Sequence, residues 1–174
     1  ESIIYTAETD RIRFWRANTY NIDPLKGMES NQEVNIHSKY DKDGGNIILS
    51  FEGSDKAMSF IYNLHKNRFQ KLHSLSGAAR VSSFSPDGEK IATNGYRKFG
   101  KVIRGDYSIM ISDIETGKIL DQIEGKGFAT GLAYTADGDN LIIATDKEIR
   151  IWDTVGNNLI KTMDSSDNPD WGSF

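Results

Sequence analysis

Four cations and two aromatics are packed between Tyr96 and Asp106, the densest chemical signal in the chain. The segment reads Tyr96-Arg97-Lys98-Phe99-Gly100-Lys101-Val102-Ile103-Arg104-Gly105-Asp106. Guanidinium and ammonium groups bind phosphate or carboxylate through charge-assisted hydrogen bonds, and neighbouring rings add stacking. This pattern predicts a contact site for an acidic peptide or a phosphate, carried by Tyr96, Arg97, Lys98, Phe99, Lys101 and Arg104. The competing reading is a solvated surface loop or an extended hairpin, since long surface insertions cost little.

Other chemistry has less to stand on. Asp164-Ser165-Ser166-Asp167-Asn168-Pro169-Asp170 gathers carboxylates, but without the ordered spacing and glycine of a calcium loop. His37, His65 and His73 fall at unrelated points and suggest no shared metal. Cysteine is absent, and so are Gly-x-Ser-x-Gly and Gly-x-Gly-x-x-Gly. No catalytic residue, metal or cofactor is therefore expected. A site assembled around a channel from several repeats is the one catalytic arrangement this pattern leaves open.

The elements that must carry these residues are repeated. A unit recurs about every 45 residues, set by the turns Tyr40-Asp41-Lys42-Asp43-Gly44, Phe84-Ser85-Pro86-Asp87-Gly88 and Tyr134-Thr135-Ala136-Asp137-Gly138. An Asp-Gly between apolar runs signals a hairpin, because Gly supplies the positive φ such turns need. Ile47–Phe51, Ile91–Asn94 and Leu141–Thr145 have strand length and β-branched content. A third strand follows each, clearest in Glu148-Ile149-Arg150-Ile151-Trp152-Asp153, which alternates polar and apolar. Near the start, Arg11-Ile12-Arg13-Phe14-Trp15-Arg16 is almost the same string. A weaker fourth strand trails each unit. Four short antiparallel strands at this period make a propeller blade. Trp15 and Trp152 then read as blade-packing aromatics.

The chain resembles WD40-repeat proteins over nearly its whole length. The matching residues are Phe84-Ser85-Pro86-Asp87-Gly88, Ile149-Arg150-Ile151-Trp152-Asp153 and, more weakly, Ser112-Asp113. No Gly-His dipeptide precedes any unit, so the family's buried hydrogen-bonded set, built around that histidine, is not assembled here. Elsewhere the Trp-Asp pair is replaced by Trp15-Arg16, Tyr62-Asn63 and Ser112-Asp113. The resemblance implies an all-β fold of four-stranded antiparallel propeller blades, in a divergent member. It also implies a rigid protein–protein interaction scaffold, with the Tyr96–Asp106 segment on the face that carries most partner contacts. The alternative from another class is a propeller enzyme or small-ligand sensor with a site at the central channel mouth.

Blades are expected over 1–28 (incomplete), 33–74, 79–124 and 129–164, with 170–174 as the first strand of a further blade. Three blades are then complete and one is split between the termini. Ser2–Thr6 aligns with Asn46–Ser50, and Trp171–Phe174 with Val81–Phe84. One reading is an excerpt of a longer propeller; the other is closure of a ring within the chain or with a second copy. Either way the remaining blades are expected partners, because an unpaired strand edge invites pairing.

A hydrophobic content of 37% over 174 residues suits an ordinary globular domain with a core. The formal charge of −4 argues against a dedicated nucleic-acid binder, whose domains are strongly basic. No apolar stretch approaches the length of a membrane span. The lack of an Asn-x-Ser/Thr acceptor weighs toward an intracellular setting without fixing the compartment.

Overall fold

The computed structural model describes residues 4–7, 12–15, 35–52, 57–66, 68–75, 81–99 and 102–164. Lys101, the acidic stretch at 165–170 and most of the first unit lie outside the described residues. A hairpin pairs β1 (Ile4–Ala7) with β2 (Ile12–Trp15). Three antiparallel sheets of four strands follow. The first holds β3 (Asn35–Tyr40), β4 (Asn46–Glu52), β5 (Ala57–Asn63) and β6 (Arg68–Leu75). The second holds β7 (Ser82–Phe84), β8 (Lys90–Phe99), β9 (Val102–Asp113) and β10 (Ile119–Lys126). The third holds β11 (Ala129–Tyr134), β12 (Asn140–Thr145), β13 (Glu148–Asp153) and β14 (Asn158–Asp164). Spatial order follows chain order in each sheet, and β7 lies against both β3 and β11. The first strands therefore converge, as the innermost strands of successive blades do.

The turns form where the Asp-Gly pairs stand. Gly44, Gly88 and Gly138 have φ of 68°, 74° and 82°, a region that a Cβ disfavours. Two of the turns add the same side-chain clasp. Thr135 Oγ1 donates to Asp137 Oδ1 at 2.6 Å, and the Asp139 amide donates to the same oxygen at 3.1 Å. Ser85 and the Glu89 amide do this for Asp87. These bonds, hydroxyl first, hold both carboxyls below their ordinary value of 3.8. A depressed native pKa means stability that is complete above the unfolded value and lost as pH falls through the native one. The thermal midpoint is therefore expected to drop more steeply below about pH 4 in the wild type than in Asp87→Asn/Asp137→Asn. Parallel curves would show that the clasps contribute nothing.

Packing runs between sheets. Ile48, Ile61 and Leu72 of the first sheet cluster with Phe84, Ile91 and Ile114. Ala92, Ile109, Ile111 and Ile123 of the second cluster with Ala129, Leu132, Leu141 and Ile143 of the third. Adjacent residues Ile91 and Ala92 join opposite clusters, as the two-residue period of a strand requires. The middle sheet is thus buried on both faces, and each fully buried Ile or Leu contributes about 1.5–3 kcal/mol.

Polar bonds add alignment. The Tyr134 amide donates to Ser83 Oγ at 3.2 Å, tying β11 to β7. Gln70 Nε2 donates to the Thr116 carbonyl at 3.1 Å, and Lys66 pairs with Glu115 at 2.6 Å. That ion pair is more than half exposed and adds little to stability.

The third sheet differs. Ile142 and Ile151 stand where Ile48 and Ile61 do in the first sheet and Ala92 and Ile111 in the second. Those four are 0–4% exposed, whereas Ile142 and Ile151 are only half-buried.

Candidate functional site

The basic-aromatic segment is a paired, extended hairpin, one of the two forms the competing reading gave it, rather than a loop. β8 and β9 run to 10 and 12 residues, against 6 and 6 for the corresponding β12 and β13. The extra length pairs Tyr96 with Tyr107, Lys98 with Ile103 and Phe99 with Val102, with a bulge between Tyr96 and Lys98. Tyr96, Arg97, Lys98 and Phe99 therefore stand on β8 and Arg104 on β9. Lys101 lies outside the described residues. Gly100 and Gly105 give the string the look of a loop. Tyr, Phe, Val and Ile between them favour a strand, and a bulge absorbs the irregularity.

The root of the hairpin is buried between two sheets. Tyr107 is 1% exposed. Its ring faces the Arg150 guanidinium at 5.8 Å, and Arg150 Nη1 donates to the phenol oxygen at 3.1 Å. Arg150 is in turn paired with Glu148. Burial pushes the Tyr107 phenol above its ordinary value, against the opposing pull of Arg150. Gln122 Nε2 donates to Ser108 Oγ at 2.9 Å, which secures β10 to β9 beside the same tyrosine. The hairpin is thus an outgrowth whose base is held by packing, a cation–ring contact and a hydrogen bond to the next sheet. Phe128, 44% exposed, lies at the same end of the strands.

The opposite ends of the strands carry two grooves along the seams between sheets, of about 220 and 210 Å³. Tyr134 lines both. Its Oη is buried and has no hydrogen-bond partner. Burial first, then the negative charges of Asp87 and Asp121, push that phenol well above its ordinary value. Trp152 packs against the cluster between the second and third sheets, and its Nε1 is also buried without a partner. This fits a chain lacking the histidine around which WD40 blades build their buried hydrogen-bonded set. Among the described residues no three His, Asp or Glu side chains converge where a metal ion could be held. Among them, too, no helix is long and apolar enough to cross a membrane.

Tyr107, Glu148 and Arg150 escape a reading of the sequence. Arg150 looks there like the solvent-facing member of an alternating strand. Only the inter-sheet packing brings it to a tyrosine 43 residues away.

Comparison with protein-family models and with curated proteins gives no match. Solved structures do match. The Dos1 propeller aligns with a TM-score of 0.61 at 10% identity, over 84% of this chain and 39% of that one. The RRP9 WD40 repeats align at 0.57 and 18%, over 75% and 39%. The propeller domain of the Trilobed protease from Pyrococcus furiosus, described as having an open velcro topology, aligns at 0.58 and 19%, over 76% and 43%. The chain spans about two fifths of the length of these structures. The likeness is one of fold: this protein is built of divergent β-propeller blades like those of WD40-repeat structures.

Proposed function

We propose that the protein is a rigid interaction scaffold whose extended β8–β9 hairpin holds a protein or peptide partner. The observation that carries this reading is the hairpin itself. It is an addition to one blade of a regular frame, cationic and aromatic in sequence, rooted through Tyr107 in the seam between two sheets. Function resides in sites grafted on a fold, and a stiff base limits the ordering cost of binding. Acidic side chains on the partner would meet Arg97, Lys98, Lys101 and Arg104, with Tyr96 and Phe99 supplying contact area. The channel-mouth enzyme has less support. The first groove is lined by lysines, aromatics and hydroxyls, with Ser85 and Thr135 engaged within their own turns. The second has Asp121 as its single carboxylate beside Lys90, Tyr134, Thr154 and Asn157, so among the described residues neither gathers convergent carboxylates or histidines.

The remaining blades of a ring are the second partner, from a longer chain or from another copy. The half-buried Ile142 and Ile151 support this, because their equivalents are covered by the following sheet.

The hairpin is tested by affinity capture with the wild type and with Arg97→Glu/Arg104→Glu. Reversing two contact charges is expected to lower retention of the specific partner about tenfold. Capture of the same proteins at the same level by both would retire the hairpin as the contact site. No specifically retained protein in either would retire the scaffold.

A further inference from the structure

The last residues of three successive inner strands meet in the 220 Å³ groove. Tyr40 ends β3, Phe84 ends β7 and Tyr134 ends β11, the same repeat position each time. Phe84 is 9% exposed and forms the floor, Tyr40 is 42% exposed and forms a wall, and Pro86 completes the apolar lining. Lys39 and Lys42 stand on the rim, and among the described residues no carboxylate lines the groove. In a chain of net charge −4 that local excess of cations is notable. Three of the nearby carboxylates are engaged by other groups, while Asp43 stands exposed next to Lys42. Asp41 accepts from Asn46 Nδ2 at 2.7 Å, and Asp87 and Asp137 are bonded within their own turns. Lys39 Nζ donates to the Ser82 carbonyl at 3.3 Å. That bond uses one of the three donors of an ammonium and leaves two for a ligand.

Size decides the class of ligand. Small-molecule and cofactor pockets hold roughly 300–1,000 Å³, and this groove is smaller and open. A volume of about 220 Å³ is of the order of one large side chain.

We propose that this groove docks an acidic peptide segment of a partner protein, one aromatic side chain lying on Tyr40, Phe84 and Pro86 and flanking carboxylates meeting Lys39 and Lys42. The groove is separate from the β8–β9 hairpin, since the two lie at opposite ends of β8. A partner engaging both would span the blade from end to end.

The test uses the 174-residue chain and a fluorescein-labelled peptide with one Trp between two runs of Glu, followed by anisotropy at low ionic strength. Saturable binding is expected, weakened about tenfold in Lys39→Glu/Lys42→Glu and to a smaller degree in Lys39→Gln/Lys42→Gln. A peptide with Gly in place of Trp is expected to bind more weakly than the parent. Lys118→Glu/Lys161→Glu makes the same charge change at exposed positions that line neither the groove nor the hairpin, and is expected to bind as the wild type does. The proposal is overturned by absence of saturation, by equal affinity of wild type and Lys39→Glu/Lys42→Glu, or by equal loss in Lys118→Glu/Lys161→Glu. Equal affinity for the Gly peptide would also overturn it, reducing the groove to a site of charge attraction.

Discussion

Gly125→Ala is expected to destabilise the protein by about 1–3 kcal/mol, the range for forcing extra volume into a packed core. The reason is the tyrosine across the strand pair. Gly125 and Tyr107 are register partners in β10 and β9. A methyl group at Gly125 would lie 2.2 Å from Tyr107 Cζ and Oη and 2.6 Å from Cε1. The ring therefore lies over the glycine, a device that shields glycine backbone in sheets. It has nowhere to move, because Arg150 is bonded to the phenol and stacked near the ring. Tyr107→Ala alone is expected to cost about 3–5 kcal/mol, as for other buried aromatic truncations. The decisive measurement is the pair. Once the ring is gone the added methyl meets no tyrosine, so Gly125→Ala should become neutral or stabilise by about 0.4–1 kcal/mol through the unfolded chain. Urea unfolding of the four proteins gives the coupling directly. If Gly125→Ala costs the same with and without Tyr107, the ring is not what the glycine accommodates. Loss of the Tyr107 contacts should also increase amide exchange in the upper part of β8 and β9, where the proposed partner site stands.

The frame was legible in the sequence because its causes are local. Three Asp-Gly pairs required positive φ, and Gly44, Gly88 and Gly138 have it. Alternation over Glu148–Asp153 announced a strand, and β13 has those bounds. The missing histidine pointed to an unassembled hydrogen-bonded set, and Trp152 Nε1 is buried without an acceptor. What could not be read depends on register and on meetings between units. Pairing of Tyr96 with Tyr107 requires a bulge whose position the composition does not dictate. Lys39 and Lys42 look like ordinary solvent-facing charges around a turn. They become part of a groove only because β3, β7 and β11 converge and bring Phe84, Pro86 and Tyr134 beside them. Local rules place each residue on its strand; the angle between sheets decides what it faces.

Ile111→Ala is expected to cost about 2–5 kcal/mol, the range for a buried Ile reduced to Ala, while Ile151→Ala in the 174-residue chain costs clearly less. The two residues hold the same place in their blades. Each follows the same register, Ile111 opposite Ala92 and Ile151 opposite Ile142. Their difference is what lies on them. Ile111 is 4% exposed inside the cluster shared by the second and third sheets, whereas Ile151 is half-buried. Truncating a side chain loses transfer energy in proportion to the area it had withdrawn from water, and creates a cavity only where something covers it. Denaturant unfolding at low protein concentration should therefore rank Ile111→Ala well below Ile151→Ala in stability. If a second copy supplies a covering sheet, the cost of Ile151→Ala rises with protein concentration, as linkage to association requires. If a longer chain supplies it, the cost rises when the following blades are included and is independent of concentration. Equal costs at the lowest concentration would instead mean that the third sheet is already covered within one chain, and that no further blade is needed.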